Sequence, residues 1–217
     1  MTAQQTPALR VTGVSHAYTG RPRLAFPDFT LARSEAVVLL GPSGSGKSTL
    51  LMLMAGLLRL QAGEIDIAGE RLGQSGGAGA DHWRGRTIGI VLQSFQLLRH
   101  LSVQENLMAA QYFSGRRTDA AAARDTLAAL GILALADELP HRLSRGQAQR
   151  AAIARAVINA PALLLADEPT SSLDDGNAAA SIELLLGESR RLGAALLIAT
   201  HDGRVKSRIA RSIGLTA

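Results

Sequence analysis

Val37-Val-Leu-Leu40 runs directly into Gly41-Pro42-Ser43-Gly44-Ser45-Gly46-Lys47-Ser48-Thr49, and a helical run, Leu50 to Leu58, follows. The nine residues complete a G-x-x-x-x-G-K-[ST] phosphate-binding loop, and strand, glycine loop, helix is the order in which that loop works. Gly41, Gly44 and Gly46 let the backbone turn tightly enough for successive N–H groups to face one concavity, where phosphate oxygens accept them. Lys47 brings a charge to the β and γ phosphates, the Ser48 hydroxyl can ligate Mg²⁺, and the N-terminus of the new helix adds partial positive charge. The stretch is built for a polyphosphate.

Composition bounds the rest. The 217 residues, 47% of them hydrophobic, fill one good-sized α/β core with an elaboration and leave no room for a second full domain. Cysteine is absent from the chain, which excludes disulfides, zinc thiolates and cysteine nucleophiles. The N-terminus reads neither as a signal peptide nor as a membrane span, so a cytoplasmic location is expected. A net charge of +5 would suit nucleic acid or an anionic membrane surface. The basic residues are scattered, however, and seven aromatics are few for base stacking, so no nucleic acid is expected.

Along the chain the pattern is an interrupted α/β one. Leu9 to Leu31 alternates loosely and predicts short antiparallel strands, and Glu64 to Ala68 predicts another. Residues 69 to 85 hold so many glycines that they read as a mobile surface loop. A strand from Thr87 to Leu92 ends on Gln93, after which the period becomes helical to Ala160. Within that stretch Ser102-Val-Gln-Glu105 is a capping box, Thr118 or Asp119 starts an alanine-rich helix, and Ser144 starts a third. The sheet pattern then resumes with Ala162 to Ala166, a helix from Asp175 to Arg191 and a strand from Ala195 to Ala199.

The resumed strand ends in Asp167-Glu168. A continuous apolar run marks a parallel strand buried on both faces, and such strands carry functional groups at their carboxyl ends. Two carboxylates are therefore expected beside the phosphate loop, Asp167 to hold Mg²⁺ and Glu168 to orient and polarise an attacking water.

Leu143-Ser144-Arg145-Gly146-Gln147, followed by Ala-Gln-Arg150-Ala-Ala-Ile-Ala-Arg155-Ala, resembles the signature helix of ATP-binding cassette (ABC) proteins. The resemblance covers nearly the whole chain: Tyr18 is similar to the adenine-stacking aromatic, Gln93 to the Q-loop glutamine, Ser171-Ser-Leu-Asp174 to the D-loop and His201 to the switch histidine. It implies an α/β fold, a phosphate-loop NTPase (RecA-like) core with a short antiparallel β region and an inserted α-helical subdomain. In a single domain spanning 1–217, residues 1–93 and 161–217 would form the core and 94–160 the insert.

It also implies an ATPase using ATP and Mg²⁺. The loop residues Gly41 to Thr49 and Tyr18 would bind nucleotide, Ser48, Gln93 and Asp167 would hold the metal, and Lys47, Gln93, Glu168 and His201 would be catalytic. Ser144, Gly146, Gln147 and Asp174 would meet nucleotide held by a second copy, paired head to tail. The implied partner is an integral membrane permease, docking near Gln93 and the following Ser94 to Leu101, which would hold the chain peripherally at the inner face of the cytoplasmic membrane. Gln96-Leu-Leu-Arg-His-Leu-Ser-Val-Gln-Glu-Asn106 is similar to the lipoprotein-releasing and macrolide-exporter cassettes, with an importer cassette or a non-transport regulatory ATPase as alternatives. Two features depart from the family: Arg145 stands where glycine is usual, and the chain ends soon after His201, which is expected to exclude a regulatory domain and trim the final strands.

Overall fold

The computed structural model describes residues 6–72, 78–171 and 173–216. In chain order the elements are β1 (Leu9–His16), β2 (Leu24–Ala25), β3 (Phe29–Leu31), β4 (Ala36–Leu40), α1 (Lys47–Met54), β5 (Ala62–Ile67), β6 (Glu70–Arg71), α2 (Ala78–Thr87), β7 (Ile88–Val91), α3 (Val103–Phe113), α4 (Ala120–Ala129), α5 (Arg145–Val157), β8 (Leu163–Asp167), α6 (Asp175–Leu192), β9 (Ala195–Ala199), α7 (Gly203–Lys206) and β10 (Arg211–Gly214). Two sheets result. One is antiparallel, β2-β1-β5-β6 with β3 also on β1; the other is parallel, in the order β10-β4-β9-β8-β7.

β8 and β9 are buried at every residue, and their alternate side chains feed two different cores. Leu163, Leu165, Ala195, Leu197 and Ala199 join Val37 and Leu39 of β4 in a cluster with α1 and the antiparallel sheet. Leu164, Ala166, Leu196 and Ile198 join Val38 in a cluster with α3, α4, α5 and α6. This two-sided burial is why the strands read as unbroken apolar runs. It also fixes their carboxyl ends on one edge, with Leu39 opposite Ala199, Asp167 opposite Ala199 and Val91 opposite Ala166. Gly41, Glu168, Thr200 and Gln93 follow those ends, so four sequence motifs emerge together.

The expected mobile loop over 69–85 needs correction. Glu70 and Arg71 pair with Ile67 and Asp66, and Ala78 to Thr87 is helical, while residues 73–77 lie outside the described residues. Tertiary contact overrides the weak helix propensity of glycine here. Trp83 packs against the core shared by α1 and the antiparallel sheet, Arg84 donates to the Gly56 carbonyl, and a Cβ at Gly85 would come 2.9 Å from Ser114 of the turn after α3. Gly85 is a point of close packing rather than of freedom.

α1 ends at Met54, four residues before the expected Leu58. Gly56 takes a φ of 64°, and Gly56 N–H and Leu57 N–H donate back to the carbonyls of Leu53 and Met52, which closes the helix with a Schellman turn. Of the final strands that the short tail was expected to trim, β10 is present and pairs in parallel with β4.

Candidate active site

Gly46 is the residue before α1. Its left-handed backbone, φ 90° and ψ 14°, brings no side chain to cap the helix, so the first N–H groups remain open toward a ligand. A Cβ at this position would crowd Leu24 and Phe26 at 3.1 Å, a second reason for glycine. Lys47 Nζ donates to the carbonyls of Gly41 at 2.7 Å and Pro42 at 3.1 Å, which holds the ammonium at the mouth of its own loop.

A cleft of about 590 Å³ opens above this loop. Ser43, Gly44 and Gly46 to Thr49 line it from the loop, Tyr18, Arg21, Pro22 and Leu24 make a second wall, and Glu168 also lines it. Tyr18 is 42% exposed, and its hydroxyl meets Thr49 Oγ1 at 3.2 Å, tying the aromatic wall to α1. Such a wall offers a ring face for a base beside a polyphosphate cradle.

The two carboxylates differ. Burial pushes the Asp167 carboxyl above the usual carboxylate range; the Ser48 hydroxyl lowers it, the Glu168 charge raises it further, and Lys47 lowers it. Its Oδ1 is buried without a hydrogen-bond partner. Glu168 is instead fully engaged: Thr200 Oγ1 donates to Oε2 at 2.9 Å, and His201 Nδ1 lies 2.8 Å from Oε1. Glu168 also has a φ of 46°, a left-handed conformation that costs a non-glycine residue of order 1–3 kcal/mol and gathers at functional sites. Ser48 and Asp167 together offer hard oxygen donors beside a phosphate cradle, which fits a magnesium ion shared with the substrate. Among the described residues no cluster of three or more His, Cys, Asp or Glu could hold a metal by itself.

The other expected residues lie elsewhere. Gln93 is exposed past the end of β7 and does not line the cleft. Ser144 and Gln147 form a reciprocal capping box on α5: Ser144 Oγ accepts from Gln147 N–H at 3.3 Å, and Gln147 Oε1 accepts from Ser144 N–H at 2.8 Å. Asp174 caps α6 and accepts from the Asn177 side chain at 2.6 Å, while a Cβ on Gly146 would meet Asn177 at 3.0 Å. The starts of α5 and α6 therefore make a second cluster that contributes nothing to the cleft lining. Ser172 lies outside the described residues.

Some supporting residues had no mark in the sequence. Gln149 is fully buried in α5 and donates to the Pro169 carbonyl just past the two carboxylates. Thr170 donates to Asp202 at 2.6 Å, and Arg204 binds both Asp202 and Asp175. The Arg204 hydrogen bonds, opposed by partial burial and helped by Thr170, hold the Asp202 carboxyl well below the usual carboxylate range. Past Gln93, Phe95 and Gln96 have φ of 60° and 52°, and both their carbonyls accept from Arg155 of α5. Asn106 of α3 ties down Leu98 and Leu101. Thr200 and Asp202 flank His201 and could have been found by adjacency; Gln149, Arg155 and Asn106 carried no such signal.

A protein-family model described as ABC transporter matches residues 25–171. The lipoprotein-releasing system ATP-binding protein LolD of Chromohalobacter salexigens is 38% identical over 93% of this chain and 91% of its own length. The LolD of Gluconobacter oxydans is 41% identical over 96% of this chain and 93% of its own. Among solved structures, a dimeric form of the ABC transporter cassette MJ0796 superposes with a TM-score of 0.84 at 30% identity, covering 96% of this chain and 94% of that one. A second dimeric structure of MJ0796, in a post-hydrolysis state bound to ADP and Pi, gives a TM-score of 0.83. With the phosphate loop, the carboxylate pair and the signature helix all inside the matched segment, the chain belongs to the ABC transporter ATPase family.

Proposed function

We propose that this ATPase drives a separate membrane permease in lipoprotein release. The observation that carries the reading is the 38–41% identity to LolD proteins over most of both chains. Among the described residues no helix is long and apolar enough to cross a membrane, so the span would come from the partner. Held by that partner, the cassette would sit at the inner face of the cytoplasmic membrane. An apolar groove between α2, β7 and α3, lined by Leu57, Ile88, Ile90 and Phe113, supports docking there, with Phe113 65% exposed. A neighbouring pocket shares Ile88, Ile90 and Phe113 with it and is also lined by Arg155, which holds the Phe95 carbonyl in the segment after Gln93.

In the reading we favour, Gly41 to Thr49 cradle the phosphates and Tyr18 stacks on the base. Ser48 and Asp167 would hold Mg²⁺, and Gln93, outside the cleft lining, would join them only by a shift of the segment after β7; once bound, the ion neutralises phosphate charge. Lys47 offsets charge on the β and γ phosphates. Glu168, its carboxylate aimed by Thr200, orients the attacking water, and His201 beside it promotes the attack. Transfer is then mostly positioning and electrostatics. Residues 94–160 would move as one helical unit against the core.

Ser144, Gly146, Gln147 and Asp174 do not line the cleft, and they suit the nucleotide of a second copy paired head to tail. The cap uses Ser144 Oγ as an acceptor and leaves its proton free to donate. Arg145, exposed at the first position of α5, would add a permanent charge to this contact.

The decisive experiment is purification of the tagged cassette from membranes, followed by reconstitution of what copurifies with lipoprotein-loaded vesicles. An integral membrane permease and ATP-dependent lipoprotein release are expected. Recovery of the cassette without a membrane partner would favour a regulatory ATPase, and uptake of a small solute would favour an importer.

A further inference from the structure

The cleft carries a cation that the phosphate loop does not supply. Tyr18 to Arg21 form a tight turn in which Arg21 N–H donates to the Tyr18 carbonyl at 3.0 Å. Gly20, at the third position, has a φ of 73°, as a type II turn requires. Pro22 follows, restricting Arg21 to extended backbone and fixing its own φ. The turn thus has little freedom, and both Arg21 and Pro22 line the cleft wall that begins at Tyr18. The neighbouring Arg23 is a contrast: its guanidinium donates to Ser15 at 3.1 Å and lies outside the cleft lining. Arg21 has no side-chain hydrogen bond or ion pair among the described residues.

The wall sets where along a ligand this charge would fall. Its base end is Tyr18, tied to Thr49. Its other end is Leu24, which lies against Gly46 of the phosphate loop. Arg21 lies midway between them in the chain, and Lys47 and Glu168 line the same cleft. A polyphosphate that places its base on Tyr18 and its terminal phosphates in the loop runs its inner phosphates past Arg21.

We propose that Arg21 is a second cationic contact of the bound nucleotide, made to the α or β phosphate and therefore shared by ATP and ADP. The inference rests on the cleft being the nucleotide site. A guanidinium and a phosphate form a charge-assisted pair, and this guanidinium has no competing carboxylate to give up. Its exposure and the screening by salt keep the gain below that of a buried pair.

The test is calorimetric titration of wild type, Arg21→Ala and Arg21→Lys with MgADP and with the MgATP analogue carrying a β,γ-imido bridge, each at low and high salt. Arg21→Ala should weaken both nucleotides in parallel by roughly five- to tenfold at low salt, with a smaller gap at high salt. Arg21→Lys should recover most of the loss, since it keeps the charge. Equal affinities for all three proteins would overturn the proposal. So would a loss confined to the triphosphate, which would assign Arg21 to the γ phosphate, or a loss that lysine does not recover and salt does not alter, which would mark stacking of the guanidinium on the base. Wild-type protein that bound neither nucleotide would instead refute the cleft itself.

Discussion

The N-termini of α1 and α5 start from the same resource and use it in opposite ways. Every helix begins with N–H groups that have no partner within the helix. At α1 the preceding residue is Gly46, which supplies no side-chain acceptor. At α5 it is Ser144, which with Gln147 closes two of those donors internally. The first terminus is open and faces a cleft whose other wall bears Tyr18; the second is self-satisfied and faces none of it. An anion site is therefore marked less by a helix start than by what the sequence withholds there, and a capped start must bind through what the cap leaves over. At α5 that remainder is the Ser144 hydroxyl proton, the N–H of Gly146 and the side chain of Arg145.

The largest expected effect lies at the open terminus and its carboxylate. Lys47→Ala should weaken ATP binding, and Glu168→Gln should keep binding while slowing hydrolysis by about 10²-fold or more, because glutamine preserves an acceptor for Thr200 and loses the charge. Light scattering should find Glu168→Gln as a dimer at saturating MgATP. Wild-type turnover and a monomer would remove Glu168 from the chemistry.

Next comes the wall opposite that terminus. Tyr18→Ala should lose about 1–3 kcal/mol of nucleotide binding, and Tyr18→Phe much less, since it keeps the ring and loses only the exposed contact to Thr49. A fluorescent nucleotide titration giving one affinity for all three would return Tyr18 to ordinary packing.

The capped terminus is tested by Arg145. In the Glu168→Gln background, Arg145→Gly should raise the dissociation constant of the ATP-bound dimer by about tenfold, as a charge-assisted contact of about 1.5–3 kcal/mol allows after screening, with monomer binding unaltered. Equal dimer affinity, measured by sedimentation, would leave Arg145 a solvated side chain and the α5 terminus a structural cap.

The smallest effect separates two carboxylates, Asp167 at the end of β8 and Asp202 at the cap of α7. Asp202 is held low by Arg204, so its contribution to stability is present above the unfolded carboxylate range, near 3.9, and is lost as pH falls toward the lower folded value. Asp202→Asn should melt about 2–4 °C below wild type at pH 7, the shift that about 1 kcal/mol gives in a domain of this size, with the gap closing below about pH 4. Asp167 has the opposite sign: burial favours its neutral form, so Asp167→Asn should melt no lower than wild type at pH 7. Calorimetric scans across pH would show a pH-independent gap for Asp202→Asn if Arg204 did not set its ionisation.

Much of this site was legible because its chemistry is contiguous. Gly41 to Thr49 carry their geometry in glycines and their charge in one lysine, and the run before Asp167 announces a strand buried on both faces. The stretch over 69–85 was misread because a glycine count cannot distinguish freedom from contact: Gly85 is small because Ser114 presses on it. Some partners that support the site were illegible for a related reason. Gln149 reaches Pro169 and Arg155 holds the carbonyls of Phe95 and Gln96, and each pair joins segments that only packing brings together.

By itself the sequence determined the phosphate loop, the strand that delivers Asp167 and Glu168, and the capping boxes at Ser102 and Ser144, because each depends on residues within a few positions of one another. Only the tertiary structure decided that Arg21 shares a cleft with Lys47, that the signature cluster stands apart from that cleft, and that Glu168 holds a left-handed backbone between Thr200 and His201. Those are outcomes of strand order and two-sided burial: parallel neighbours β4, β9, β8 and β7 put their carboxyl ends on one edge, and no local pattern encodes which strand lies beside which.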